Sequence, residues 1–267
     1  MRMNREGRLA DGTYCEMVGN GPPLILLHGV GLNRTTWRAQ VAVLSKRYTV
    51  VTYDHLGHGR SPHIQPETRL DDFVGQLVKV MDQLQIDKAH IVGFSFGGLV
   101  AQSFALKYPD RLNKLVLMST VYNRTEEELA GVSGRLAKAR EEGPHSIIPA
   151  AIDRWFSPAF IAGQPEVIGE IERGLGSNDP TSFLTAYTIF CTAEAELAGK
   201  LKAVTAPTLA ITGELDTGST AAMVKRMVAD IANARGKIIE GGRHMMPMEM
   251  ADEVSAALLA FLSDRSE

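Results

Sequence analysis

Three polar residues, set far apart in the chain, could together carry nucleophilic acyl transfer. The first is Ser95 in the stretch Ile91–Gly98, IVGFSFGG. Gly93-Phe94-Ser95-Phe96-Gly97 fits G-x-S-x-G, which acts as a nucleophile elbow when a strand precedes it and a helix follows. Glycines flank the serine because so tight a turn brings backbone against the places where Cβ atoms would sit. A serine hydroxyl is a weak nucleophile at neutral pH and needs a base. Among the seven histidines, His244 in Gly241-Gly242-Arg243-His244 lies between the last predicted strand and the terminal helix. An acid to orient that base belongs between serine and histidine in chain order, and Asp216 in Thr212-Gly213-Glu214-Leu215-Asp216 follows a predicted strand. Glu214 is the competing carboxylate, but it lies nearer the strand end. Alone, His244 reads equally as a surface histidine and Asp216 as a loop cap; the order Ser, Asp, His, each after a strand, joins them.

Acyl transfer also needs donors for the oxyanion. His28-Gly29-Val30-Gly31 follows the first strong strand, and its glycines let the backbone turn and expose an N–H. The backbone amides of Val30 and of Phe96, the residue after the nucleophile, are the expected pair. His28 is expected to brace this loop rather than act as a second base. The helix after Ser95 turns its free N–H groups and partial positive charge toward the site.

The elements that must position these residues follow from apolar runs. Pro23–Leu27, Tyr48–Tyr53, Ala89–Val92 and Lys114–Met118 are short and continuously apolar, as strands buried on both faces of a parallel sheet would be. Helical patterns at Asp71–Leu84 and Gly97–Lys107 alternate with them, which predicts a doubly wound α/β fold. From about Val121 to Lys202 there are helix-like segments and breakers, Gly143-Pro144, Ser157-Pro158 and Asp179-Pro180, without a buried strand. The alternation then returns with a strand at Pro207–Thr212, a helix at Thr220–Ile231, a strand at Lys237–Glu240 and a helix at Ala251–Phe261. The expectation is an α/β core of residues 1–120 and 203–267 carrying a helical cap, residues 121–202.

Composition narrows the class of protein. A chain of 267 residues can bury one large core, and 45% hydrophobic with 22% charged residues argues against extended disorder. The formal charge of −3 predicts no nucleic-acid or anionic-membrane partner. Cys15 and Cys191 lie far apart without metal-ligand spacing, so neither a metal site nor a disulfide framework is expected, and a reducing, cytoplasmic compartment is. The segment MRMNREGRLADG lacks the apolar run of a secretory leader, and no stretch reaches the roughly 18 apolar residues of a membrane span.

On these motifs the chain resembles the α/β-hydrolase superfamily: HGVG at His28–Gly31, DHLGHGRS at Asp54–Ser61, GFSFGG, GELD and GGRHMMPME. The resemblance implies an α/β-hydrolase fold, a mostly parallel sheet flanked by helices with a helical cap insertion. It also implies that HGVG follows the third strand and that His55 and His58 are architectural. With serine rather than aspartate at 95, the haloalkane dehalogenase and epoxide hydrolase branches are excluded. The stretch Arg135–Phe160, RLAKAREEGPHSIIPAAIDRWFSPAF, is similar to the cap of 3-oxoadipate enol-lactonases. That likeness implies a small lactone bearing a carboxylate, with Arg135 or Arg154 as its anchor and Trp155 as an apolar wall. Met245 is expected beside the cleft, Trp37 in the core, and Cys191 and Tyr187 on a cap helix.

The expected activity is a cofactor-free, metal-free serine hydrolase acting on an ester or lactone of a small molecule. Hydrolysis of a C–C or amide bond, carboxylesterase or perhydrolase activity on the same triad, and a non-catalytic ligand-binding homologue remain open, as does a homodimer.

Overall fold

The computed structural model describes residues 3–264; Met1, Arg2 and residues 265–267, assigned above to the core segments, lie outside the described residues. Eight strands form one sheet: β1 (Met3–Arg8), β2 (Tyr14–Gly19), β3 (Pro23–Leu27), β4 (Thr49–Tyr53), β5 (Ala89–Phe94), β6 (Leu112–Met118), β7 (Thr208–Gly213) and β8 (Ala234–Ile239). Their spatial order is β1-β2-β4-β3-β5-β6-β7-β8. The pairs β1–β2 and β2–β4 are antiparallel and every later pair is parallel.

Helices α1 (Arg38–Leu44), α2 (Leu70–Gln83) and α3 (Phe96–Lys107) alternate with these strands. Between β6 and β7 the chain forms α4 (Glu126–Glu142), α5 (Ile148–Trp155), α6 (Pro158–Gly163), α7 (Pro165–Gly176) and α8 (Pro180–Thr192). Then come α9 (Ala221–Asp230), the single-turn α10 (Met246–Glu249) and α11 (Ala251–Ser263).

The continuously apolar strands divide their side chains between two layers. Ile25, Leu27, Ile91, Leu115 and Leu117 join the cluster built with α2, α3 and α9. Their alternates Leu24, Leu26, Val92, Val116 and Met118 join the opposite cluster with α1 and α11, where Trp37 is fully buried. This is the pleat of a strand buried on both faces.

The topology makes the site. The chain passes from β3 to β4 on one side and to β5 on the other, so the loops after β3 and β5 diverge at a switch point of the sheet edge. HGVG leaves β3 and Ser95 leaves β5 at that point. The breakers of the insertion have a different role from interruption: Pro144, Pro158 and Pro180 each occupy a first helical position, where a missing N–H costs nothing. Among the described residues no helix is long and apolar enough to cross a membrane.

Candidate active site

Ser95 sits between β5 and α3 with φ 54° and ψ −113°, a strained conformation for a residue with a side chain. The glycines around it are required by contact. A Cβ on Gly93 would lie 2.4 Å from the Gly97 carbonyl oxygen, and one on Gly97 would lie 2.4 Å from that of Leu27. The Ser95 N–H donates to the Met118 carbonyl at 2.9 Å, and the Thr120 hydroxyl donates to the Ser95 carbonyl at 2.7 Å. Hydrogen bonds on both sides of the turn thus hold the strain in place.

The loops after β7 and β8 bring the other two residues to the serine. His244 Nε2 lies 3.2 Å from Ser95 Oγ, and His244 Nδ1 lies 2.7 Å from Asp216 Oδ2. Asp216 Oδ1 accepts from the N–H groups of Gly218 and Ser219, each at 2.9 Å, which fixes the carboxylate plane. All three residues are buried. Glu214 turns away and accepts from the Gly241 N–H at 2.9 Å. The rings of Phe94 and Trp155 flank the imidazole, with centroids 5.1 and 5.8 Å away.

Val30 and Ser95 both line the cleft. Among the described residues the amide N–H groups of Val30 and Phe96 have no hydrogen-bond acceptor. His28 is fully buried and braces the loop: Nδ1 donates to the Gly29 carbonyl at 2.8 Å and Nε2 accepts from the His55 N–H at 2.9 Å. Those two bonds set the neutral Nδ1–H tautomer, and burial, with His55 and His58 next, holds the pKa of His28 well below the usual imidazole range. His55 returns Nε2 to the His28 carbonyl at 3.1 Å, and His58 Nδ1 donates to the Leu56 carbonyl at 2.9 Å.

The cleft has a volume of about 440 Å³. Arg135, Arg154, Trp155 and Tyr187 line it together with Ser95 and His244. Among the described residues neither Arg135 nor Arg154 forms an ion pair. Burial first, and Arg135 second, lower the pKa of Arg154, so the two cations stand close in a partly desolvated wall. Such a wall favours an anionic ligand group.

One expectation changes. Met245 does not line the cleft: its side chain is fully buried in the apolar cluster of Trp37 and Leu258, while its N–H donates to the Trp155 carbonyl at 3.0 Å. Cys191 lies on α8, a helix of the insertion as expected, and is a buried free thiol whose pKa burial raises to about 11. Arg124 was not anticipated. It lines the cleft and is tied by a buried ion pair at 2.9 Å to Glu194, at the far end of the insertion. Its place just before the capping box Thr125–Glu128, shortly after β6, was the available signal. Among the described residues no group of three or more His, Cys, Asp or Glu could hold a metal ion.

Comparison with known proteins agrees with the fold. The family described as alpha/beta hydrolase fold matches residues 22–141. A 3-oxoadipate enol-lactonase of Acinetobacter baylyi is 28% identical over 90% of this chain and 88% of its own. An (E)-2-((N-methylformamido)methylene)succinate hydrolase of the same organism is 29% identical over 91% of each chain. The crystal structure of an enol-lactonase from Burkholderia xenovorans superposes with a TM-score of 0.84 at 27% identity, covering 97% of this chain and 100% of that one. With its strand order, its elbow and these relatives in accord, the chain has the α/β-hydrolase fold and resembles members of that superfamily, 3-oxoadipate enol-lactonases among them.

Proposed function

We propose that the protein is a serine hydrolase that opens an ester or lactone bond in a small, carboxylate-bearing substrate. The observation that carries this reading is that one cleft joins the Ser95–His244–Asp216 chain to two arginines without carboxylate partners. The relatives accord with it: one hydrolyses a succinate derivative, two are enol-lactonases, and a Thermogutta terrifontis esterase crystallised with malate is 28% identical with a TM-score of 0.82. On this reading residues 121–202 form a cap that supplies the substrate's anchor, and the two buried, unpaired cysteines suit a reducing cytoplasm.

In the mechanism, Arg135 and Arg154 hold the substrate carboxylate against the cap and aim the acyl carbon at Ser95. His244 Nε2 takes the Ser95 proton as Oγ attacks, while Asp216 keeps the proton on Nδ1 and stabilises the imidazolium. The Val30 and Phe96 amides receive the oxyanion, each well-aimed donor contributing about 3–4 kcal/mol to the barrier's lowering. His244 then passes its proton to the departing oxygen. In a lactone that oxygen belongs to the same molecule as the acyl group, so the ring opens while the acyl-enzyme stays intact. Water, deprotonated by the same imidazole, releases the acid.

The test is a panel of enol-lactones, neutral p-nitrophenyl esters and dienoic ring-fission ketones. Enol-lactone turnover is expected to lead, and Ser95→Ala to lose at least about 10⁴-fold in kcat. Arg135→Ala and Arg154→Ala should each cost about 10- to 100-fold on the carboxylated lactone and little on the neutral ester. Preferred turnover of the ketones would replace the ester or lactone reading with C–C hydrolysis. Failure of Ser95 to take a fluorophosphonate label would favour a ligand binder.

A further inference from the structure

We propose that Asn178, in the loop between α7 and α8, is a positioning residue that holds the oxyanion-binding turn. The inference rests on the acyl-transfer reading above. The Val30 N–H belongs to the four-residue turn Gly29–Leu32, closed by the Leu32 N–H donating to the Gly29 carbonyl at 3.2 Å. Gly31, its third residue, has φ 75°, as a turn of this kind requires. The turn lies at the end of β3, where its Gly29 side is held by that bond and by His28 Nδ1, which leaves its Gly31 side to outside support.

That support comes from the insertion. The Asn178 Nδ2 donates to the Gly31 carbonyl at 2.8 Å and lies 3.0 and 3.3 Å from the carbonyls of Leu175 and Gly174. Three carbonyl oxygens around one terminal atom decide the amide's orientation, because only an NH₂ can face them. Side chains close the other faces. A Cβ on Gly31 would come 2.8 Å from Leu175 Cδ2 and 2.9 Å from Phe183 Cε2, so α7 and α8 press directly on the turn. The first turn of α8, next to this loop, is anchored as well, where the buried Ser182 hydroxyl accepts from the Ile64 N–H at 3.2 Å. Asn178 lines no part of the cleft. It acts through Gly31 on Val30, and not on substrate.

A positioning role predicts a loss in transition-state stabilisation without a loss in substrate binding. The variants are Asn178→Asp, nearly isosteric but without the donor, and Asn178→Ala. The readouts are kcat and KM for p-nitrophenyl acetate, inhibition by a boronic acid that becomes tetrahedral on Ser95, and thermal unfolding. The expected result is a kcat about 10- to 100-fold lower with KM within about twofold, and boronate affinity weakened by the same factor. Unchanged kcat and boronate affinity in variants that remain folded at the assay temperature would overturn the proposal. So would a kcat loss with boronate affinity intact, since the oxyanion turn would then be undisturbed. Ser95→Ala, assayed alongside, separates failure of this inference from failure of the serine mechanism.

Discussion

Asp216 has a partner for each oxygen, and that division decides what an amide would do in its place. Oδ1 receives two backbone N–H groups, and Oδ2 faces His244 Nδ1 at 2.7 Å. In Asp216→Asn the two amides keep the carbonyl oxygen, so the NH₂ must turn toward the imidazole. His244 then accepts at Nδ1 and carries its proton on Nε2, facing Ser95, where it cannot take the hydroxyl proton. kcat should fall about 10³- to 10⁴-fold with KM little changed, in steady-state assays beside Ser95→Ala. A loss under tenfold would assign the orienting role elsewhere, Glu214 first. That these three side chains meet was legible in sequence because chain order and strand-end placement restrict the choices. Met245 was not, since adjacency to His244 does not say which way a side chain turns. Asn178 was not either, because its partner Gly31 is far away in the chain and nothing local marks the pairing.

At the scale of elements, strands buried on both faces showed themselves, while β1, β2 and the start of β8 did not. β3, β4, β6 and β7 read directly from unbroken apolar runs, whereas β2 alternates half-exposed and buried residues and β1 is MNREGR. β8 begins at Ala234 rather than at Lys237, because an edge strand can carry exposed Arg235 and Lys237 without cost to a core. The docking of α11 was equally hidden. Lys114, within β6, is buried, and its ammonium donates to the carbonyls of Phe261 at 2.9 Å, Leu262 at 3.3 Å and Asp264. These are C-terminal carbonyls that the helix itself cannot satisfy, and a cation there also suits the helix dipole. Lys114→Met should therefore destabilise the protein by about 1–3 kcal/mol in urea unfolding, with Ser95 chemistry unaffected in the folded enzyme. A change under about 0.5 kcal/mol would show that water serves those carbonyls as well as lysine does.

Across the whole molecule, three histidines tie the sheet-edge loops together, and they set how the protein responds to acid. His28 after β3 bonds to the His55 N–H, and the His28 carbonyl receives both His55 Nε2 and the Gly97 N–H at 3.1 Å each. His58 completes the group with its ring centroid 5.3 Å from that of His28. Burial is the first cause of depression in all three: His55 is held at about 3, His58 at about 4, and His28 well below the ordinary 6.5. The neighbouring Asp54 is occupied by the amides of Arg34 and Arg60, each at 2.9 Å, and gives the imidazoles no counter-ion. The native pKa values lie below the unfolded one, so the unfolded chain binds more protons as pH falls from 6.5 toward 4. Stability is therefore full above about pH 6.5 and declines below it, each neutral buried histidine steepening the slope toward about 1.4 kcal/mol per pH unit. Glu194, whose pKa burial raises, works in the opposite sense and offsets part of the loss. Urea unfolding from pH 8 to pH 4.5 should show this decline, with the trio's imidazole resonances still neutral near pH 5. Resonances that titrate near 6.5 in the folded protein, with stability flat from pH 7 to 5, would mean that the trio is solvated. The loop after β3 would then lose its brace, because a protonated His28 has no lone pair on Nε2 for the His55 N–H.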